Sequence, residues 1–164
     1  MRITERQLRR IIREELERDQ APLKIISTAH LPAPNRWGDR DLIHMLVDLG
    51  PLEELPTGKI PGFAQHLLKA IPSLQDHRCS YGERGGLVRR MTEDEGTWMG
   101  HVLEHVALEL QCLQGDDVGF GRTRGAGPRG QYNVWFECLD SQAGLEAGHA
   151  ARRLLLQIID SCRV

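Results

Sequence analysis

The 164-residue sequence predicts an α+β fold, a small mixed sheet packed with helices, with a metal site on a central helix. Three observations predict it. Segments rich in β-branched and aromatic residues, "LKIISTAHL" and "QYNVWFECL", lie toward the two ends of the chain. Residues 97–114 and 142–162 carry apolar side chains at helical intervals. Strands at both ends, with helices between and after them, give a layered sandwich around one hydrophobic core.

The elements follow in order. "MRITERQLRRIIREELERD" is an amphipathic helix: Thr4 and Gln7 have capping-box spacing, and Leu8, Ile11, Ile12 and Leu16 form an apolar stripe opposite Arg and Glu. "DQAPL" breaks it at Pro22. Residues 1–21 are therefore read as a helical extension and 22–164 as the domain, with the stripe available for docking or homo-oligomer formation. "LKIISTAHL" is a strand and "APNRWG" a loop. "DLIHMLVDLG" is apolar enough for a buried strand or a short helix, which periodicity alone does not separate. Phe63, Leu67, Leu68 and Ile71, bracketed by Pro61 and Pro72, mark a helix. "CSYGERGGLVRRM" opens as a glycine-rich turn and is expected to end in a strand. Residues 97–114 are a long helix ended by Gly115, "GFGRTRGAGPRG" is a flexible loop, "QYNVWFECL" a strand and 142–162 a closing helix.

Bulk properties exclude several classes. A net charge of −2 gives no basic field for nucleic acid, although "GRTRGAGPRG" holds three arginines. No apolar run approaches the ~20 residues of a membrane span. The N-terminus lacks the apolar region of a secretory signal, and its mixture of Glu with Arg does not suit a transit peptide, so the expected location is cytoplasmic. Cys79, Cys112, Cys138 and Cys162 are then reduced thiols rather than a disulfide framework, each chemically able to ligate a metal.

The chemistry is concentrated in "WMGHVLEHVALELQ", residues 98–111. His101 and His105 are four apart on one helix face and can share one Zn²⁺, with Glu104 placed to reach a metal-bound water. His-x-x-Glu-His is the inverse of the commoner zinc-protease motif, and in either order zinc activates water while the glutamate takes its proton. A catalytic zinc wants a third protein ligand. Cys79, His77, Glu83 and Glu109 are the candidates. Cys79 is favoured, because a thiolate is a strong zinc ligand and its glycine-rich turn lets the backbone approach. The remaining cysteines and Trp37, Trp98 and Trp135 read as core residues, and His30, His44, His66 and His149 as structural. Arg122 and Arg124 flank Thr123 and are placed either to clamp a substrate carboxylate or to form a structural salt bridge. Glu83 and Glu109 are placed to meet cationic side chains, or Glu109 to orient a ligand histidine.

"PNRW", "IPGFAQHLLKAIPSLQDHRCSYGERGGLVRRM", "WMGHVLEHVALELQ", "VGFGRTR" and "YNVWFECLD" resemble, in order and spacing, the N-terminal domain of cyanophycin synthetases over roughly residues 24–162. Those synthetases polymerise aspartate and arginine through two ATP-dependent ligase modules that follow this domain. Neither module is in this sequence, which implies no ATP-dependent synthesis by this chain. In some members the domain is similar to a zinc metallopeptidase and cuts the polymer into primers; in others it mainly binds polymer. The resemblance places the family's glutamate at Glu104, its histidine ligands at His101 and His105, and its cysteine ligand at Cys79. The first helix has no counterpart in the resemblance, and Arg36 stands where a tyrosine is expected. The leading expectation is a zinc-dependent hydrolase cleaving amide bonds of cyanophycin or a related poly-amino-acid, with Glu104 as general base and Arg122, Arg124 and Glu83 toward substrate. The alternative is a non-catalytic polymer-binding module with a structural metal, in which Glu83 supplies a fourth ligand.

Overall fold

The computed structural model describes residues 4–7, 9, 10, 21–79 and 82–162. At the N-terminus residues 5–7, 9 and 10 are helical, and the capping box forms: Thr4 N–H donates to Gln7 Oε1 at 2.9 Å and Gln7 N–H to Thr4 Oγ1 at 3.3 Å. The stripe of Leu8, Ile11, Ile12 and Leu16 lies outside the described residues.

The domain is α+β. Strand β1 (Lys24–Leu31) pairs with β2 (Leu42–Asp48) in a register running from Lys24↔Asp48 to Leu31↔Leu42. Helices α1 (Phe63–Ala70), α2 (Gly86–Thr92) and α3 (Met99–Cys112) follow, then β3 (Gly121–Gly125), β4 (Gln131–Glu137) and the closing helix α4 (Ser141–Ser161). The strand order is β1-β2-β4-β3. Every pairing is antiparallel, so the expected mixed sheet is corrected. Short returns join β1 to β2 and β3 to β4, and antiparallel neighbours need no crossover helix.

Binary patterning explains which face is covered. Ile43, Met45 and Val47 on β2 and Val134 and Phe136 on β4 alternate inward and are buried. They meet Val102, Leu103, Val106 and Ala107 of α3 and Ala151, Leu155, Ile158 and Ile159 of α4. Asp140 caps α4, accepting from Ala143 N–H at 2.7 Å. Helix α1 stops at Ala70, before Ile71-Pro72, where the residue preceding proline is steered out of the helical region. The opposite sheet face carries His44 stacked on Trp135 (5.0 Å), Trp135 against Trp37 (5.5 Å), and Arg36 over Trp37 (4.5 Å). The tryptophans are thus corrected from core: Trp37 and Trp135 are half-buried on that open face, and Trp98 is 37% exposed, its indole N–H donating to Glu53 O.

Two local expectations fail. The segment after the glycine turn is helix α2, not a strand, because Leu87 and Met91 are four apart and both bury against the core. "GFGRTRGAGPRG" is not a loop throughout: residues 121–125 form β3, held by register pairing with β4 from Gly121↔Phe136 to Gly125↔Tyr132. Main-chain pairing to a strong neighbour overrides weak side-chain propensity.

Close packing of α4 on the sheet depends on Gly144. A Cβ there would lie 2.6 Å from Cys138 Cβ and 2.9 Å from Ile43 Cγ1. Gly144→Val is expected to lower stability by about 1–3 kcal/mol through overpacking, read as a reduced urea midpoint at unchanged slope. An unchanged midpoint would mean that α4 can ride away from the sheet at no cost.

Candidate metal centre

Helix α3 runs through the core, and its first two turns place His101, Glu104 and His105 along one cleft. Cys79 comes from the segment after residues 72–76, fixed by Leu87 N–H donating to His77 O at 3.3 Å and Gly82 N–H to Cys79 O at 2.8 Å. Cys79 Sγ lies 3.2 Å from His101 Nε2, and His101 Nε2 lies 3.1 Å from His105 Nε2. All three donor atoms are within 4.8 Å of one another. Zinc–nitrogen and zinc–sulfur bonds of ~2.0–2.3 Å arranged tetrahedrally put donors about 3.3–3.6 Å apart. Two of the three separations are within a few tenths of an ångström of that spacing and the third is no more than 4.8 Å, so a small approach of Cys79 and His105 fits these residues to a Zn²⁺.

The surroundings favour the ligand form of both rings. Burial lowers His101 to about 4, with Arg90 adding to the effect. His105 is held well below the ordinary histidine value by burial, then by His101, His77 and Arg90. Both are neutral near pH 7, as ligation requires. The tautomer of His105 follows from a buried chain. Glu109 accepts from Ser73 Oγ and from His77 Nε2–H, the latter at 2.5 Å. His77 Nδ1 is then an acceptor, taking the proton of His105 Nδ1 at 3.2 Å. That leaves a lone pair on His105 Nε2, facing the cluster. On the other ring, His101 Nδ1 lies 3.0 Å from Thr97 Oγ1. His77 and Glu109, weighed as ligands, stand behind His105 instead. Glu109→Leu would leave the His77 N–H without its acceptor. It is expected to weaken zinc binding by the ~10–100-fold usual for an outer partner, measured by competition with a chromogenic chelator. Unchanged affinity would mean that His105 is oriented without this chain.

Glu104 is buried beside the cluster. Its Oε2 accepts from Thr123 Oγ1 at 2.6 Å, and Oε1 lies 4.0 Å from His105 Nε2. Burial raises its carboxyl to about 7, opposed by the Thr123 bond and the Arg122 charge. A Cβ on Gly121 would sit 2.5 Å from Glu104 Cγ, so β3 approaches α3 this closely only with glycine there.

The cleft encloses about 770 Å³. Arg78, Arg90, Arg122 and Arg124 line it, and the Arg122 guanidinium also lies 4.9 Å over the Trp37 ring. Glu83 is not brought in: it is exposed and paired with Arg89 at 3.4 Å. Sequence reasoning missed Thr123, Thr97, Ser73, Arg78 and Arg90. Only Thr97 carried a signal, four residues before His101 at the start of the expected helix 97–114, and in the structure it lies just ahead of the Trp98 cap.

Comparison with known proteins places this geometry. Residues 44–160 match the model of the cyanophycin synthase-like N-terminal domain family. The cyanophycin synthetase of Synechocystis sp. is 50% identical over 141 residues, covering 85% of this chain and 16% of that protein. Those of Geminocystis herdmanii and Nostoc sp. are 49% and 48% identical, over 84% and 86% of this chain and again 16% of theirs. The chain thus spans 16% of the length of these curated relatives. The relatives are enzymes, and a synthetase builds its polymer. That overturns the expectation of a zinc-dependent hydrolase or metallopeptidase using Glu104 as general base. The physical reason is that two histidines, a cysteine and a neighbouring carboxyl specify a coordination geometry, which a structural site shares, and not a hydrolytic reaction. By the family match and by these identities, the chain belongs to the cyanophycin synthase-like N-terminal domain family.

Proposed function

We propose that this chain is a polymer-binding module for cyanophycin or a closely related poly-amino-acid, with Zn²⁺ held by Cys79, His101 and His105 in a structural role. The observation that carries the reading is the cleft itself, lined by four arginines as well as by the three side chains able to hold a metal, with Arg122 and Arg124 on the Trp135 face of β3. Zinc there would neutralise the thiolate and tie the Cys79 segment to α3, keeping one wall of the cleft in place. Arg122 and Arg124, two apart on β3, project from the same strand face, and with Arg78 and Arg90 they suit the carboxylates of an extended poly-amino-acid.

The test is titration of zinc-replete protein with soluble cyanophycin by calorimetry at two salt concentrations, followed by mass analysis of the polymer. Saturable binding that weakens with salt, with the polymer recovered intact, is the expected result. Arg90→Glu should weaken that binding while leaving zinc content unchanged. Absence of binding, or binding indifferent to Arg90→Glu and salt together, removes the reading.

A further inference from the structure

We propose that β3 is a docking strand: an extended, carboxylate-bearing peptide main chain pairs with its open edge and lies across the cleft beside Cys79, His101 and His105. The inference rests on the reading of the cleft as a polymer site and names how the polymer is held.

Strand β3 ends the sheet, and among the described residues no further strand pairs with it. All of Gly121, Arg122, Thr123, Arg124 and Gly125 line the cleft. A strand that faced a cavity with one surface would contribute alternate residues, because successive side chains point to opposite faces. An unbroken run means that the cleft meets the strand edge-on. The ladder tells which main-chain groups look into it. Glu137 N–H donates to Phe120 O and Ala126 N–H to Gln131 O at the two ends of the β3–β4 pairing. Alternation in an antiparallel ladder then directs the N–H and C=O of Arg122 and Arg124 toward β4. Those of Gly121, Thr123 and Gly125 point away from β4.

Among the described residues this edge carries neither a bulge nor a proline, and its guards are its shortness and the charges of Arg122 and Arg124. The opposite edge strand, β1, has a register shift between Ile25 and Ser27, whereas β3 runs in unbroken register. A Cβ on Gly119 or Gly125 would meet nothing within 4 Å, so the approach at both ends is open. The charges select the occupant. A second copy pairing β3 to β3 would bring Arg122 and Arg124 against their own kind, and like charges across a pair are unfavourable. A strand bearing carboxylates meets those arginines, with Arg78 and Arg90 in the same cleft. Main-chain pairing supplies affinity while charge supplies selection, as in other strand-addition complexes.

The experiment uses two labelled decamers of poly-L-aspartate, equal in charge, one methylated at every main-chain nitrogen, with binding to the full zinc-replete chain read by fluorescence anisotropy. The unmodified decamer should bind, and the methylated one should bind about tenfold more weakly or worse, since it cannot pair with an edge. Gly125→Pro, which removes an edge-facing N–H, should weaken the unmodified decamer several-fold at unchanged zinc content. Equal binding of the two decamers overturns the proposal. If cyanophycin still binds in that case, the cleft reading survives with side-chain recognition alone. Binding of neither decamer also overturns it, and the cyanophycin titration then decides separately whether the cleft reading stands. A dimeric parent chain that Gly125→Pro renders monomeric, with no decamer bound, assigns the edge to a second copy and likewise overturns it.

Discussion

Cys79→Ala protein, purified from zinc-replete medium, is expected to come out without stoichiometric zinc while keeping its helix and sheet content. The two histidines that remain sit on one helix face, and one face cannot surround an ion; the thiolate is the donor that arrives from a separate segment. The loss should exceed the ~10–100-fold expected for Glu109→Leu, because a bonding atom is removed rather than a partner of one. The fold should persist, since Cys79 lies outside the main apolar cluster. Cys112→Ala is the control. Burial raises the Cys112 thiol, which donates to Val118 O at 3.2 Å, and burial pushes Cys138 to about 11. Both stay protonated near pH 7 and make poor ligands. Elemental analysis and circular dichroism on parent, Cys79→Ala and Cys112→Ala decide the matter. If Cys79→Ala holds as much zinc as the parent, or the parent holds none, the assignment of this cluster is wrong.

The histidine pair of this site was legible because helical periodicity is a local property. The run from Met99 to Cys112 announces its helix, and a spacing of four on a helix fixes a shared face before any tertiary structure is known. Cys79 was legible in kind, as the thiol in a glycine turn, although nothing in its neighbourhood states its distance from α3. The polar supports were not legible. Thr123 reaches Glu104 only because β3 is a strand, and Ser73 reaches Glu109 only because the turn after α1 lies against α3. Small hydroxyl residues carry no spacing signal of their own. The inferred reaction failed for a different reason. Ligand spacing records how an ion is held, and a buried carboxyl near the ion suits more than one role.

The fold divides along the same line. Strands β1 and β4 are legible from composition and helices α3 and α4 from periodicity, whereas the run that forms β2 suits a strand or a short helix until its pairing is known. Strand β3, in contrast, is "GRTRG", whose composition favours a turn; its state is set by β4, whose "QYNVWFE" is a strong strand that exposes an edge to be paired. The consequence reaches the site, since the misjudged strand is the one that walls Glu104 and lines the cleft.

Phe136→Ala is expected to cost about 3–5 kcal/mol, the range for emptying a buried phenylalanine site, out of the ~5–15 kcal/mol that a domain possesses. The side chain is fully buried, and in register it sits between Ile43 of β2 and Gly121 of β3. Its ring tip reaches α4: a Cβ on Gly148 would lie 3.0 Å from Phe136 Cζ and 2.2 Å from Met45 Cε. Phe136 and Met45 therefore fill the same space beneath α4, and truncation leaves a void that neither strand can close without breaking its ladder. For a chain of this size the loss corresponds to a fall of about 6–20 °C in Tm. Phe136→Leu, nearer in volume, should cost under about 1.5 kcal/mol. Because Gly121 is paired with Phe136, the void should also loosen β3 against Glu104. Hydrogen exchange at Arg122 and Arg124, whose N–H groups face β4, should then rise by more than exchange at β1, which is paired only to β2. A uniform rise across both edges would show that Phe136 stabilises the domain as a whole and has no particular hold on the wall of the cleft.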